Sequence, residues 1–297
     1  MKDELLLSVM VETYNQENFI AQTLDSIINQ KVNFKYELLI GDDCSSDATS
    51  SILDEYASKY NFITVFHNDK NLGPMGNYYH LLAKCKGTYI MDCAGDDYWL
   101  PGKINYQISY MENNQDVALC YGKAKIFDEK KQIILSKSSG SKREGFYDLM
   151  LGNAIPAVTV CIRRKIMEEY LNDVKPYEKN WKMEDLPAWL WIAYNYKIKF
   201  LNRDFGVYRQ LEESVSHSKS EEKRIAFDKS CYEIREYYAN KYNKGNLLEQ
   251  YTVYCNFAKA WKSKDKINII KYGKKKLNYK FTLNVFAKVV YAHFLLK

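Results

Sequence analysis

Two kinds of apolar pattern alternate along the first two thirds of the chain. Short, nearly continuous apolar runs are typical of strands buried in a parallel sheet, and segments with apolar residues every three or four positions are typical of helices. Strands that alternate with single helices predict βαβ units and a mostly parallel sheet with helices on both faces. The predicted strands are 5–11, 36–40, 62–66, 88–91, 117–127, 132–135, 157–162, 197–201 and 205–208.

Helical spacing fills most of the intervals between these strands. The predicted helices are 17–29, 46–60, 76–85, 101–112, a segment from about 163, and 184–195. From about Lys219 the pattern is helical throughout and dense in Tyr and Lys, with a break near Lys244. This change predicts an α/β domain at 1–218 and a basic helical extension at 219–297.

Acidic residues follow the carboxyl ends of the predicted strands. Glu12 follows the first strand, Asp43 the second, and the adjacent Asp96 and Asp97 follow the strand at 88–91. Right-handed crossovers bring such strand ends to one rim, so we expect these side chains to converge there. Two adjacent carboxylates make a hard oxygen site that suits Mg²⁺ or Mn²⁺ shared with a diphosphate. A solvated turn with a helix cap is the alternative interpretation.

The loop after the first strand, 12–17, contains no glycine. This excludes the Gly-x-Gly-x-x-Gly turn of dinucleotide-binding folds, and a P-loop is also absent. A nucleotide would have to be held by an aromatic face for its base, such as Tyr14, and by a carboxylate that accepts its N–H, such as Asp43. An ordinary half-buried loop tyrosine is the alternative for Tyr14. Asp92 is expected to point away from the site, because alternate strand residues face opposite sides.

The net charge of +6 conceals an asymmetry between the two parts of the chain. From Lys219 onward 18 Lys and Arg stand against 7 Asp and Glu, which predicts a tail that faces an anionic surface. A helix at a membrane surface and a structural cap with a solvated Lys face are both compatible with this tail. Its apolar stripe at helical spacing consists of Leu283, Phe286, Val290 and Phe294.

The cysteines, histidines and apolar runs limit where the protein is expected to act and what it is expected to bind. Seven cysteines without a Cys-x-x-Cys pair predict core residues in a reducing cytosol, and four dispersed His offer no zinc spacing. We expect no secretory signal, and the apolar run 281–296 is too short and too polar to span a bilayer. No RNA-binding motif accompanies the basic tail, so nucleic acid is not an expected partner. The sequence carries no signal for an oligomeric state.

Five separated motifs resemble those of the family 2 glycosyltransferases, which have the GT-A fold. The similarity covers about residues 5–217 and leaves the tail uncovered. The motifs are Ser8-Val-Met-Val-Glu-Thr-Tyr-Asn15, Gly41-Asp-Asp-Cys-Ser-Ser-Asp-Ala-Thr49, Asn71-Leu-Gly-Pro-Met-Gly-Asn77, Lys86-Gly-Thr-Tyr-Ile with Gly95-Asp-Asp-Tyr-Trp99, and Met183-Glu-Asp-Leu-Pro187.

The resemblance implies a role for each strand-end residue. Glu12 and Tyr14 would line the site of uracil or another base, and Asp43 would accept a hydrogen bond from the base N–H. Asp96 would lie near the ribose and the metal. Asp97 would ligate the Mn²⁺ or Mg²⁺ ion that bridges the two phosphates of the donor.

The resemblance also implies that Asp185 is the general base. Glu184 and Asp185 open a predicted helix, where the helix dipole favours ionised carboxylates, and ordinary N-terminal helix charge is the alternative. Arg209 and His217 follow the last predicted strand and are expected to reach the diphosphate or the metal. A Ser-rich surface loop is the equal alternative for that segment.

Three positions depart from the common family pattern. Many members have Pro where this chain has Glu12, and many have Gly where it has Cys44. Many also carry an acid at the position of Ala94, two residues before Asp96. The metal site is therefore expected to rest on fewer protein ligands.

The resemblance thus implies an inverting, metal-dependent transferase that moves a hexose from a UDP-sugar, or a similar donor, to a glycan hydroxyl. Family analogy and the basic tail favour a polyprenyl-diphosphate-linked acceptor, O-antigen or capsule synthesis, and a peripheral position on the cytoplasmic face of the inner membrane. A sugar-nucleotide pyrophosphorylase is one alternative, but it needs a Gly-rich, basic loop that 12–17 lacks. An inactive, membrane-bound glycan-binding module is the other.

Overall fold

A computed structural model describes residues 5–212, 220–280 and 282–294. Within these ranges the chain forms nine strands of one sheet and eleven α-helices. The strands are β1 (Leu5–Thr13), β2 (Lys35–Asp42), β3 (Ile63–His67), β4 (Tyr89–Asp92), β5 (Tyr98–Trp99), β6 (Val117–Asp128), β7 (Ile133–Ser139), β8 (Cys161–Arg163) and β9 (Lys197–Gln210). The helices are α1 (Ile20–Ile28), α2 (Thr49–Lys59), α3 (Gly73–Leu82), α4 (Lys103–Asn113), α5 (Phe146–Leu151), α6 (Arg164–Val174), α7 (Asp185–Asn195), α8 (Glu221–Lys241), α9 (Gly245–Ser263), α10 (Lys266–Tyr279) and α11 (Leu283–Phe294).

The sheet is mixed, with the order β3-β2-β1-β4-β8-β6-β9-β5 and β7 paired to β6. Strands β1 to β4 are parallel where they pair, as the alternation of strands and helices predicts. Strand β8 is antiparallel to both β4 and β6, and β5 is antiparallel to β9. The parallel half therefore carries the strand ends that the sequence placed at one rim.

Several elements differ from the sequence-based expectation. The apolar run at 157–162 is a 3₁₀ turn at Ala157–Thr159 followed by the short β8, and the two strands predicted at 197–201 and 205–208 form the single β9. Strand β5 was not predicted because its two residues exist as a strand only through their pairing with β9. Helix α5 was also not predicted.

Two large apolar clusters occupy opposite faces of the sheet, because alternate residues of each strand face opposite sides. Val9 and Met91 face α1, α2 and α4, whereas Met10 and Ile90 face α3 and α5 to α8. A smaller third cluster lies within the tail. It consists of Phe257, Ala260, Ile269, Val285 and Ala292.

The C-terminal helices are divided between these cores. Ile234 and Tyr238 of α8 and Leu247 of α9 belong to the large cluster around α7, whereas the small cluster joins the end of α9 to α10 and α11. The predicted division at 218/219 stays a prediction. Over the described residues, no helix combines the length and the apolar character needed to cross a bilayer.

Candidate active site

The loops after β1, β2 and β4 meet at one edge of the sheet. In the parallel register Glu12 of β1 pairs with Gly41 of β2, and Met10 pairs with Asp92 of β4. Two backbone bonds continue the ladder beyond the strands: Asp43 N donates to Thr13 O at 2.9 Å, and Gly95 N donates to Glu12 O at 2.9 Å. The strand ends therefore converge as predicted from the topology.

A cleft of about 480 Å³ opens at this edge. It lies between the strand ends, the segment 155–158 and the start of α7. Four predicted site residues line it together: Glu12, Asp96, Asp97 and Asp185. Asp92 and Glu184 bring the number of carboxylates in the lining to six.

The turn that carries Asp96 and Asp97 is bonded to helix α1. Thr23 Oγ1 lies 2.8 Å from Gly95 O and 2.6 Å from Asp97 O. A Cβ atom on Gly95 would lie 2.9 Å from Thr13 Cβ at the end of β1, so a larger residue here would force the turn or the strand end to shift. The position of the two carboxylates is therefore determined by close backbone packing.

Arg209 of β9 binds the same turn through its backbone and its side chain. Its backbone N donates to Asp97 Oδ1 at 2.8 Å, and its Nε donates to Asp96 O at 2.7 Å. Its Nη1 forms an ion pair with Glu129 at 2.7 Å, and its Nη2 donates to Gln22. These contacts engage every nitrogen of the guanidinium with protein groups, so Arg209 positions the Asp96–Asp97 turn. Its predicted contact with the diphosphate stays a prediction.

Burial dominates the ionisation of the Asp96–Asp97 pair. It raises the pKa of Asp96, and it raises the pKa of Asp97 well above the usual range, with the charge of Asp96 as the next cause. Buried negative charge of this kind is relieved by a cation. The donor set, two hard carboxylate groups, fits a divalent ion that completes its coordination with diphosphate oxygens and water. In the described part of the chain, no three His, Cys, Asp or Glu side chains form a complete metal site.

A second pair of carboxylates in the cleft, Glu184 and Asp185, lies at the start of α7. Asp185 Oδ1 accepts a hydrogen bond from Leu186 N at 2.5 Å, and Oδ2 accepts one from Asn153 Nδ2 at 2.9 Å. Burial raises the pKa of Asp185, and burial with the charge of Asp185 raises the pKa of Glu184 to about 8. Asn153 lies in a loop without a recognisable motif, so sequence reasoning missed it.

Asp92 also lies in the cleft, so the expectation that it points away from the site was wrong. The alternation itself was right: Asp92 follows Ile90 on the α3 and α7 face of the sheet. The error lay in the assumed side of the sheet, because the cleft opens on the face that carries Asp92. Burial raises the pKa of Asp92, and it raises the pKa of Glu12 well above its usual value, with Asp92 as the next cause.

The remaining predicted residues lie outside the cleft lining. Tyr14 is 48% exposed on the loop after β1. Asp43 is buried, and its Oδ1 accepts hydrogen bonds from Leu72 N at 2.7 Å and Asn68 Nδ2 at 3.1 Å, which ties the 68–72 loop to β2. Their contacts with a nucleotide base stay predictions. His217 lies outside the described residues.

Cys44 has a positive φ of 67°, the left-handed conformation that glycine adopts without strain. This gives a physical reason for the glycine that many family members carry at this position.

Comparison with known proteins identifies the class of fold first. The chain superposes on S. aureus TarS 1-349, solved in complex with UDP-GlcNAc, with a TM-score of 0.66, 17% identity, and coverage of 97% of this chain and 87% of that one. The fold is therefore of the GT-A type.

The family follows from the sequence match. The model of glycosyl transferase family 2 matches residues 8–171, which is more than half of the 297 residues, and the chain belongs to this family.

Two relatives with similar sequences are matched over most of this chain. An uncharacterised protein of Mycobacterium tuberculosis is 28% identical over 229 residues, which are 73% of this chain and 62% of the relative. The UDP-Glc:alpha-D-GlcNAc-diphosphoundecaprenol beta-1,3-glucosyltransferase WfgD of Escherichia coli is 27% identical over 228 residues, 76% of this chain and 85% of the relative. The chain thus spans less than two thirds of the length of the mycobacterial protein.

Proposed function

We propose that this protein is an inverting glycosyltransferase that moves a hexose from a UDP-sugar to a hydroxyl of a glycan linked to polyprenyl diphosphate. The pathway would be the synthesis of a surface polysaccharide such as O-antigen or capsule. The observation that carries the proposal is the single cleft that holds both Asp96–Asp97 and Asp185. The family match, the UDP-GlcNAc complex of TarS and the lipid-linked acceptor in the name of WfgD support it.

The part of the cleft around Asp96 and Asp97, the donor half, would act on the leaving diphosphate. Asp97, with Asp96 beside it, would hold a Mn²⁺ or Mg²⁺ ion, which neutralises the charge that develops on a diphosphate when bound. The chain itself keeps these carboxylates in place through Thr23 and Arg209.

The part of the cleft around Glu184 and Asp185, the acceptor half, would supply the base. As the acceptor oxygen bonds to the anomeric carbon and the bond to the diphosphate breaks, Asp185 takes the hydroxyl proton on a carboxylate oxygen. Asn153 and the Leu186 N–H orient this carboxylate. The raised pKa of Asp185 brings its basicity closer to neutral pH, where a general base is most effective. A single displacement of this kind inverts the anomeric configuration.

The tail would place the enzyme on an anionic membrane surface, the cytoplasmic face of the inner membrane. One side of α11 packs into the small tail core through Val285 and Ala292, whereas Leu283 and Phe294 on the helix are 76% and 75% exposed. The helix therefore has both a structural side and an exposed apolar side, and the neighbouring lysines would attract anionic lipid. In this proposal residues 1–218 are the catalytic unit and 219–297 the membrane-associating extension.

Transfer is tested by measuring UDP release with Mn²⁺, a panel of UDP- and GDP-sugars, and a short polyprenyl-diphosphate-linked sugar. We expect release that requires both the acceptor and the metal. Binding of the acceptor glycan with no release from any donor would favour the inactive glycan-binding module instead. Formation of a nucleotide-sugar from a sugar phosphate and UTP would favour the pyrophosphorylase.

Membrane association is tested with Leu283→Ser/Phe294→Ser and sedimentation with vesicles that contain an anionic lipid. We expect less protein on the vesicles, because two exposed apolar side chains are lost without a change in the core. Ile134→Ser on β7, where the side chain is 51% exposed, is the matched control. Equal sedimentation of all three proteins would contradict the membrane role of α11.

A further inference from the structure

A second large groove separates the C-terminal helices from the segment that follows β7. Its volume is about 740 Å³, and its walls come from 141–151 on one side and from α9, α10 and the start of α11 on the other. Four basic side chains line it, against one acidic residue, Asp148. They are Lys142, Arg143, Lys276 and Lys280.

The cations in this groove are poorly compensated by the protein. Lys276 Nζ lies 4.0 Å from the ring centre of Tyr254, and burial followed by the charge of Lys288 lowers its pKa. Arg143 Nη1 donates to the backbone oxygen of Asp148 at 2.8 Å. Among the described contacts, the nearest acid to Lys142 is Glu144 at 3.7 Å. Carboxylate partners for Lys276 and Lys280 are absent from the described ion pairs, so an anion would find several free donors here.

The groove adjoins the acceptor half of the cleft. Ser139 lines the cleft and Ser141 lines the groove, and two residues of extended chain span at most about 7 Å. On the same side Leu151 of α5 lines the groove, and Asn153, two residues later, donates to Asp185. The groove and the cleft are therefore close together along two separate segments of the chain.

The far side of the groove leads to the apolar face of α11. Thr282 and Val285 line the groove, and the exposed Leu283 lies between them in the chain. The order across the molecule is thus a carboxylate base, a set of cations and an exposed apolar surface. A glycan joined through a diphosphate to a lipid has its groups in the same order.

We propose that this groove binds the diphosphate of the acceptor, with the sugar in the cleft and the lipid along α11. The inference rests on the proposed function and adds a subsite to it. Lys142, Arg143, Lys276 and Lys280 would supply charge-assisted hydrogen bonds to the diphosphate oxygens, and the half-buried Lys276 would contribute where water is partly excluded.

The kinetic test compares two acceptors with the same glycan, one linked through diphosphate to a lipid and one a phosphate-free alkyl glycoside. In the full-length Lys142→Gln/Lys280→Gln variant we expect the KM for the diphosphate acceptor to rise about tenfold, with kcat and the KM for the UDP-sugar unchanged. The alkyl glycoside should show no change. Lys274→Gln/Lys275→Gln removes two exposed charges of α10 outside the groove and is the matched control. An equal rise for both acceptors, or the same rise in the control, would overturn the subsite.

A binding test separates this inference from the proposed function. Farnesyl diphosphate, inorganic pyrophosphate and farnesol are titrated into the full chain by calorimetry, in a chelator that removes divalent ions. We expect farnesyl diphosphate to bind to the parent protein, and we expect its affinity to be about tenfold lower in the Lys142→Gln/Lys280→Gln variant. The affinity for farnesol should be the same in both proteins. Pyrophosphate that binds as tightly as farnesyl diphosphate would identify a free-phosphate site and overturn the acceptor assignment.

The two failures then differ. If the binding of farnesyl diphosphate depends on the groove lysines but no combination of donor and acceptor glycan gives transfer, the proposed function fails and the diphosphate site remains. If transfer occurs and neither assay responds to the lysines, the groove inference alone fails.

Discussion

The two carboxylate pairs of the cleft have the same chemistry but different supports. Asp96 and Asp97 lie in a turn that α1 and β9 hold by backbone and side-chain bonds, with Arg209 engaged on all its nitrogens. Asp185 relies on its own helix N-terminus and on one side chain, Asn153, from a loop. Burial raises the pKa in both pairs. The difference indicates that the sheet and α1 fix the geometry of Asp96 and Asp97, whereas the geometry of Asp185 can vary with one loop.

The largest expected effect is on kcat, and it distinguishes Asp185 from the Asp96–Asp97 pair. Asp185→Asn should lower kcat by about 10³-fold, because the amide cannot accept the acceptor proton. Affinity for the UDP-sugar should stay unchanged, since Asp96 and Asp97 are untouched. Turnover and titration calorimetry measure the two quantities. A variant with full kcat would contradict the assignment of the base.

Asp97→Asn, unlike Asp185→Asn, should lower the affinity measured in the binding assay. Metal-dependent affinity for UDP should fall by at least about 100-fold, because a buried anionic ligand is lost. The Asn side chain can still accept from Arg209 N, so folding should be retained. Calorimetric titration with UDP and Mn²⁺ checks this. Unchanged heats would show that the ion, or the diphosphate, is held elsewhere.

Arg209→Lys tests whether the turn that carries Asp96 and Asp97 depends on the contacts of Arg209. The lysine cannot reach Asp96 O, Glu129 and Gln22 together, so the free energy of unfolding should fall by about 3 kcal/mol. Denaturant unfolding measures it. The control is Arg203→Lys on the same strand, where the exposed guanidinium contacts the ring of Tyr106 and little change is expected. Equal losses in both variants would argue against a special role for Arg209.

The smallest effect concerns the pH dependence of protein stability that Glu184 causes. The pKa of Glu184 is raised to about 8 from 4.5, so the folded state binds its proton more tightly than the unfolded state. This stabilisation is complete below about pH 4.5 and is lost as the pH rises towards 8. Glu184→Gln cannot ionise, so it should exceed the parent protein in stability by roughly 2 kcal/mol near pH 6, and the difference should grow as the pH rises towards 8.

Denaturant unfolding at several pH values measures that difference, with the exposed Glu178→Gln as the control. A constant difference between Glu184→Gln and the parent across this range would contradict the buried, protonated state of Glu184.

The local pattern of apolar residues was sufficient to predict much of the α/β part of the chain. The alternation of apolar runs and helical spacing predicted β1 to β4 and their parallel order. The resemblance singled out Asp96, Asp97 and Asp185, and the structure brings these three residues to one cleft. These features depend on periods of two and 3.6 residues and on strand ends, which the order of residues along the chain contains directly.

The sequence by itself determined the family, the positions of the paired acids and the apolar stripe of α11. Only the tertiary structure decided that β8 reverses the sheet, that Arg209 lies behind Asp96 and Asp97, and that Asp92 enters the cleft. It also brought the basic residues of 142–143 and of α10 to one groove. The reason is physical: strand pairing, burial and the meeting of charges depend on residues far apart in the chain, which no local period records.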